Sequence, residues 1–532
     1  MTISQNVQYL LREQQRYLDT IRTPQSGGVI SVDTVAAKIA FFYEKIRDMV
    51  DWREEHLLRK SAIERVLKRR LLLHKSGSGI AEPLLQELIR GGHFPNDTIP
   101  VAKIEETQEI VDKYTALIRY HSEKDTSHML FSDIDEWLLS IAASEIEETL
   151  AYPYRERALI EVMTKEMVEA IQIKPSAQQA IQDNEKEYHI YIAVHRALFK
   201  LDDPTITYHL IEKMYPEWHN LGIDRISEIG RNLETTRKNI QDILEHPLSE
   251  RIYGLVEKID TSYLILRDVI DANPSEFAEF ATDSSNIESE IKSAYDSRLR
   301  RLQGKIRRAV FYSVISIFIT KILVVLLIEV PFDIYAGHDL NYAALGVTTL
   351  IPPLFMFIFV SSARLTSESN SRKVLSETMM IIYGTAKKRT YEISEPRKRK
   401  APLQILISTV YLLSFLVSFG AIVWLLQKLN FNALSILIFL LFLSLVAFAG
   451  TKIRHRAREL LMEERKDGFW NGLFDIFTLP IIQVGRWLSS KVSKYNIVVV
   501  ALNIIIEIPL QLFIEFIEHW RTFIKEKKEE IH

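Results

Sequence analysis

Residues 298–330 read RLRRLQGKIRRAVFYSVISIFITKILVVLLIEV, and the two parts of this stretch suit different solvents. The first eleven residues carry six Arg or Lys. The next twenty-two, 309–330, are apolar enough and long enough to cross a hydrocarbon core of roughly 30 Å. No comparable apolar run precedes them, and three follow, at 341–360, 402–426 and 431–450. The junction therefore divides a water-soluble half from a half built for lipid.

The 532-residue chain has an average composition, 47% hydrophobic and 25% charged, but the average hides this division. Residues 301–532 hold 29 Lys+Arg against 18 Asp+Glu, whereas residues 1–300 hold 37 against 51. Membrane proteins gather Lys and Arg on the cytoplasmic side. An acidic N-terminal half is unsuited to phosphate backbones, so no nucleic-acid partner is expected. There is no cysteine, which removes disulfides, thiolate nucleophiles and cysteine metal sites. The opening MTISQNVQYLLREQQRYLDT lacks the basic and apolar regions of a cleaved signal, so export of the N-terminal half is not expected.

The fold class expected is all-α: a multi-pass helical membrane protein with a large N-terminal soluble helical domain. Residues 1–282 read as that domain, 283–308 as a stalk helix, 309–450 as four spans, and 451–532 as an amphipathic or membrane-associated C-terminal region. Apolar residues at helical spacing place one very long or two bent helices over 31–75. Further helices are expected near 81–90, 100–122, 132–150, 154–171, 176–200, 204–214, 221–244, 248–271 and 284–308, with prolines at the seams. No alternating β-branched run bounded by turns is present, so a sheet is not expected. In the stalk, Ile287, Ile291, Tyr295, Leu299, Leu302 and Ile306 form one apolar stripe, of the kind used in coiled coils, that runs in phase into residue 309.

Several polar features could carry chemistry. Arg59, Lys60, Arg65, Lys68, Arg69, Arg70 and Lys75 read as a solvated helix face, with an anionic lipid surface as the competing partner. Asp133, Asp135 and Glu136 suit a helix start, and Glu145, Glu147 and Glu148 further along are expected to face water. His189 and His195 are six apart and off a common helical face, so a metal site is not expected there. No motif for nucleotides, zinc proteases, hydrolases or kinases is present, and no cofactor or catalytic residue is assigned.

In the apolar half, the connections 331–340 and 427–430 are nearly free of positive charge, whereas 298–308, 361–401 and 452–466 are rich in it. The positive-inside rule then places the soluble half and both termini in the cytoplasm. Lys321 sits inside the first span, where it either snorkels outward or meets a carboxylate. Pro352 and Pro353 are expected to kink the second span. Residues 468–490 carry Asp475, Pro480 and Arg486, which makes a full span doubtful. Residues 495–524 carry Asn503, Glu507, Gln511 and Glu515 at every fourth position, a polar stripe on an apolar helix. These two segments either lie in the interface, or form further spans, or dock on the soluble helices or a second copy. The function expected is a non-enzymatic membrane-anchored scaffold or binding protein, with the lipid bilayer and protein partners, or self-association through the soluble domain. A transporter or channel subunit using Lys321, Glu507 and the tail stripe is the competing reading, and an enzyme ranks third.

Overall fold

The computed structural model describes residues 3–22, 28–33, 57–73, 77–122, 132–173, 185–274, 276–281, 283–337, 342–361, 368–384, 390–393, 401–457, 459–462 and 469–494, with isolated residues near 37–44 and 509–524. The protein is all-α, and among the described residues three helices are long and apolar enough to cross a membrane. The chain divides into two compact units. One comprises Met1–Ile3, Thr261–Ala386 and Pro396–Asn496; the other comprises Ser4–Asp260, Lys387–Glu395 and Ile497–His532.

In the second unit, helix Gln5–Arg22 packs on helix Tyr154–Ala170, where Asn6 and Tyr9 donate to Glu166 and Glu161, each at 2.6 Å. The interior is aliphatic, with Ile63, Leu67, Leu84, Leu138, Ile141 and Ile192 fully buried. Local chemistry sets the helix ends. Ser132 and Asp135 form a reciprocal capping box at the start of helix Asp133–Leu150, which satisfies two otherwise unpaired N–H groups. Asp202 caps helix Asp203–Met214 with Pro204 in its first turn, where a missing N–H costs nothing.

Three expectations about elements need correction. Residues 221–244 form two helices, Ile223–Arg231 and Leu233–Leu244, parted at Asn232. Residues 248–271 also form two, Pro247–Val256 and Asp260–Ala272. Over 31–75, by contrast, the described residues at 37–44 are helical, with Ala37 N bonded to Asp33 O, and helix Leu58–Leu73 follows, in keeping with the expectation; residues 45–56 lie outside the description. A short parallel strand pair, Ile171–Ile173 with Tyr391–Ile393, is also present. Apolar periodicity marks that a segment is helical but is blind to a single residue that rotates the next helix onto a new neighbour.

In the first unit, helix Ser284–Val324 runs without a break through Gly304, as the stripe requires. Ile287, Ile291, Tyr295 and Ile306 of that stripe are buried. Part of what covers them is helix Glu368–Tyr383, whose Asn370 is fully buried. Asn370 Nδ2 donates to Tyr295 Oη at 2.9 Å and to Leu460 O at 2.7 Å, while its Oδ1 accepts from Met462 N at 2.7 Å. One amide thus ties the stalk helix, its neighbour and the turn after residue 458. Helix Tyr342–Ser361 continues through Pro352 and Pro353. Helices Ala401–Lys428 and Ala433–Ala457 are joined by a turn in which Asn430 takes φ +56°, a left-handed conformation that Asn tolerates.

Replacing Asn370 with Leu leaves two buried backbone groups unpaired and is expected to cost roughly 3 kcal/mol. Thermal unfolding of the detergent-solubilised full chain measures this as a lowered midpoint.

Candidate functional site

Lys321 lies deep in the first apolar helix and is fully buried. Its partner is Glu329, eight residues on in the same rod and equally buried, to which its Nζ donates. A regular α-helix would place these residues about 80° apart around the axis. Between them, residues Val325–Glu329 form a wider turn, closed by a bond from Val330 N to Val325 O. Its i→i+5 bonding advances each residue by a smaller angle, which brings Glu329 round toward the side of Lys321. The structure therefore settles the choice left open for Lys321: it meets a carboxylate rather than snorkelling.

The second oxygen of Glu329 is 3.4 Å from Ser435 Oγ, and Lys321 Nζ lies 5.5 Å from the centre of the Phe442 ring. Asn432 donates to Asp333, one turn beyond Glu329, and accepts from Ser435 N at 2.7 Å, capping helix Ala433–Ala457. The pair is thus closed by side chains of helix Ala433–Ala457. Arg486 is exposed and takes no part in it. The Asp475 side chain and residues Asn503, Glu507, Gln511 and Glu515 lie outside the described residues, as does the basic run at 397–400. Glu329 was legible as a carboxylate within the apolar run, but eight residues is not a helical contact distance without the wide turn.

A second polar centre lies in the other unit, and sequence reasoning assigned its acids to water. Glu145 is 1% exposed and Glu148 8%. Glu145 accepts from Lys113 Nζ at 2.6 Å, Tyr114 Oη at 2.9 Å and Trp218 Nε1 at 3.1 Å. Burial alone would raise its carboxyl, but His219 and Lys113 outweigh that and hold it below the usual range. Glu148 accepts from Arg157 Nε at 2.8 Å and from His209 Nε2 at 2.5 Å. Burial opposes its charge as well, and His209 and Arg157 more than compensate. Glu147 has no such partner among the described residues, and burial pushes it up to about 7 against the opposing charge of Arg59.

The hydrogen bonds assign protons along this line. His195 Nδ1 must donate to the Tyr191 carbonyl at 2.8 Å, so its Nε2 accepts from His209 Nδ1 at 2.7 Å. His209 Nε2 then faces carboxylate Glu148 and donates to it. His195 stays neutral: burial, and then the His209 charge, push it well below its ordinary value. His189 is also buried and pairs with Ser249 at 2.8 Å, away from His195. Among the described residues, no group of three His, Asp or Glu could hold a metal ion.

The basic helix Leu58–Leu73 is neither a solvated face nor a free lipid-binding one. Lys60 is 1% exposed and bound to Asp202, Arg65 meets Glu44 at 2.6 Å, and Arg69 and Arg70 share Glu87. The compensating acids come from distant parts of the chain, which spacing along one helix does not show. No known protein family, curated protein or solved structure matches this chain.

Two measurements follow. Either Lys321→Met or Glu329→Gln alone strands a buried partner and is expected to cost about 3–5 kcal/mol, whereas the double variant K321M/E329L recovers most of that loss; thermal unfolding in detergent checks both. His219, hydrogen-bonded to Glu145 and Glu212, is raised to about 9. Its folded value lies above its ordinary one, so its contribution is complete below about 6.5 and lost as pH rises through about 9. The unfolding midpoint should decline over that window, and His219→Ala should flatten the decline.

Proposed function

We propose that this chain is a non-enzymatic, membrane-anchored binding or scaffold protein. In this reading the helical unit of Ser4–Asp260 lies on the cytoplasmic side, where Lys- and Arg-rich connections are retained, and presents its surface to protein partners or to a second copy. The apolar helices anchor it, with Leu345–Ser361, shorter than the other three, as a fourth crossing.

The observation that supports anchoring over transport is the closure of the Lys321–Glu329 pair. Both charges are satisfied by each other and sealed by Ser435 and Phe442, which leaves neither to meet a solute. The polar networks of the N-terminal unit are likewise internal, joining its helices to one another. One observation favours the competing reading: wide helical turns recur at functional sites, and this one adjoins a buried ion pair. In that case the pair would exchange a proton or an ion.

Reconstituted vesicles separate the two. With the full chain in the bilayer and a pH-sensitive dye inside, the anchor reading expects no dissipation of a proton or cation gradient above that of empty vesicles. Dissipation abolished by Lys321→Ala would sink it. Cross-linking of the full chain in its native membrane should then map partner contacts to residues 4–260.

A further inference from the structure

We propose that helix Phe469–Lys494 is embedded in the bilayer as part of the apolar helix bundle, docked by two serine hydroxyls that satisfy the carbonyls around Pro480. This inference concerns how the membrane part is built and holds whichever function the protein has. At 26 residues the helix is about 39 Å long, enough to cross a hydrocarbon core. Asp475, Pro480 and Arg486 dilute its hydropathy, and it is not among the three helices marked by length and composition.

Pro480 has no N–H, so the Ile476 carbonyl four residues earlier loses its helical donor. On a wet surface water would replace that donor. In hydrocarbon an unpaired carbonyl costs several kcal/mol, and a neighbouring hydroxyl is the usual remedy. That remedy is present. Ser414 Oγ of helix Ala401–Lys428 donates to Ile476 O at 2.5 Å. One turn on, Ser418 Oγ lies 2.8 Å from Phe477 O and 2.7 Å from Ser414 O, dividing one proton between two carbonyls. Ser414 and Ser418 are buried, whereas Leu413, Leu416 and Val417 between and beside them are exposed. Hydroxyls four apart thus face the one stretch of the neighbouring helix where hydrogen bonding is broken.

Two further contacts fix the helix in the bundle. Gly485 leaves no room for a side chain: a Cβ there would collide with the Ser444 carbonyl. Close backbone approach at small residues is how helices associate in lipid, where apolar burial alone offers little. Ile481 packs into the cluster of Leu426, Phe431, Ile436, Phe439 and Leu443. The opposite surface of the helix exposes Ile476, Leu479 and Trp487 together with Gln483 and Arg486, and Phe477 is exposed beside the packed face. Helix Ala401–Lys428, on which it packs, likewise exposes Leu413, Leu416 and Val417, and acyl chains are the occupant that suits these apolar side chains.

The chain has no cysteine, so single replacements can be labelled cleanly. Nitroxides at Phe477→Cys, Leu479→Cys and Trp487→Cys in the full chain, reconstituted in phosphatidylcholine vesicles, are compared with one at Leu413→Cys. Collision with oxygen should exceed collision with a water-soluble nickel chelate at Phe477 and Leu479, by a ratio within about twofold of that at Leu413. Nickel access typical of an exposed aqueous label would overturn embedding. Spin–spin broadening at Phe477 that vanishes on dilution with unlabelled protein would overturn lipid as the occupant in favour of a second copy. The S414A/S418A chain keeps a helix at this place but should gain nickel access at residue 477 severalfold, since the freed carbonyl draws in water. Unchanged access and an unchanged unfolding midpoint in that variant would refute the serine docking.

Discussion

Every polar group removed from water in this protein needs a partner, and that requirement shapes both of its units. A charge or an unpaired carbonyl in an apolar surrounding costs several kcal/mol, a large share of the net stability of a folded chain. Lys321 in the first apolar helix is the severest case, and the local geometry is built around it. A regular helix would leave Glu329 turned away, so the rod widens for one turn to bring the carboxylate round. Ser435 and Asn432 of the following hairpin then complete the hydrogen bonding of Glu329 and Asp333. The pair thereby links the first apolar helix to helix Ala433–Ala457, and each depends on the other for its satisfied state.

The same requirement acts in the N-terminal unit through a different set of groups. Glu145, Glu148 and Glu212 are compensated by Lys113, Arg157, His209 and His219, with Tyr114, Tyr208 and Trp218 supplying neutral donors. Such networks are stiff when fully satisfied and costly when partly satisfied. They fix how helices Ala102–Ser122, Asp133–Leu150 and Asp203–Met214 meet around an otherwise aliphatic core. A surface that holds its shape is what a binding or scaffold protein needs, and the internal charges here are directed toward holding shape.

How much of this was legible along the chain differs from residue to residue. The unbroken stalk was, because Ile287, Ile291, Tyr295 and Ile306 repeat at steps that only a helix places on one side. The burial of Glu145 and Glu148 was not, since an acidic pair three apart looks the same on a wet face as on a core face. His209 drew no attention in sequence because its meaning lies in two partners, at positions 148 and 195, on two other helices. Asn370 was equally silent: a single Asn in a polar connection becomes a three-way tie only once Tyr295, Leu460 and Met462 converge on it.

The sequence by itself determined the helical class, the place where apolar runs begin, and the asymmetry of charge about them. These are local properties: periodicity, run length and composition act over one or two turns or over one span. Tertiary structure alone decided which charges neutralise which, that Lys321 is answered from within its own rod, and that Ser414 and Ser418 meet the carbonyls beside Pro480. Such pairings depend on distances between segments far apart in the chain, and on one wide turn whose bonding pattern leaves no mark in the spacing of side chains.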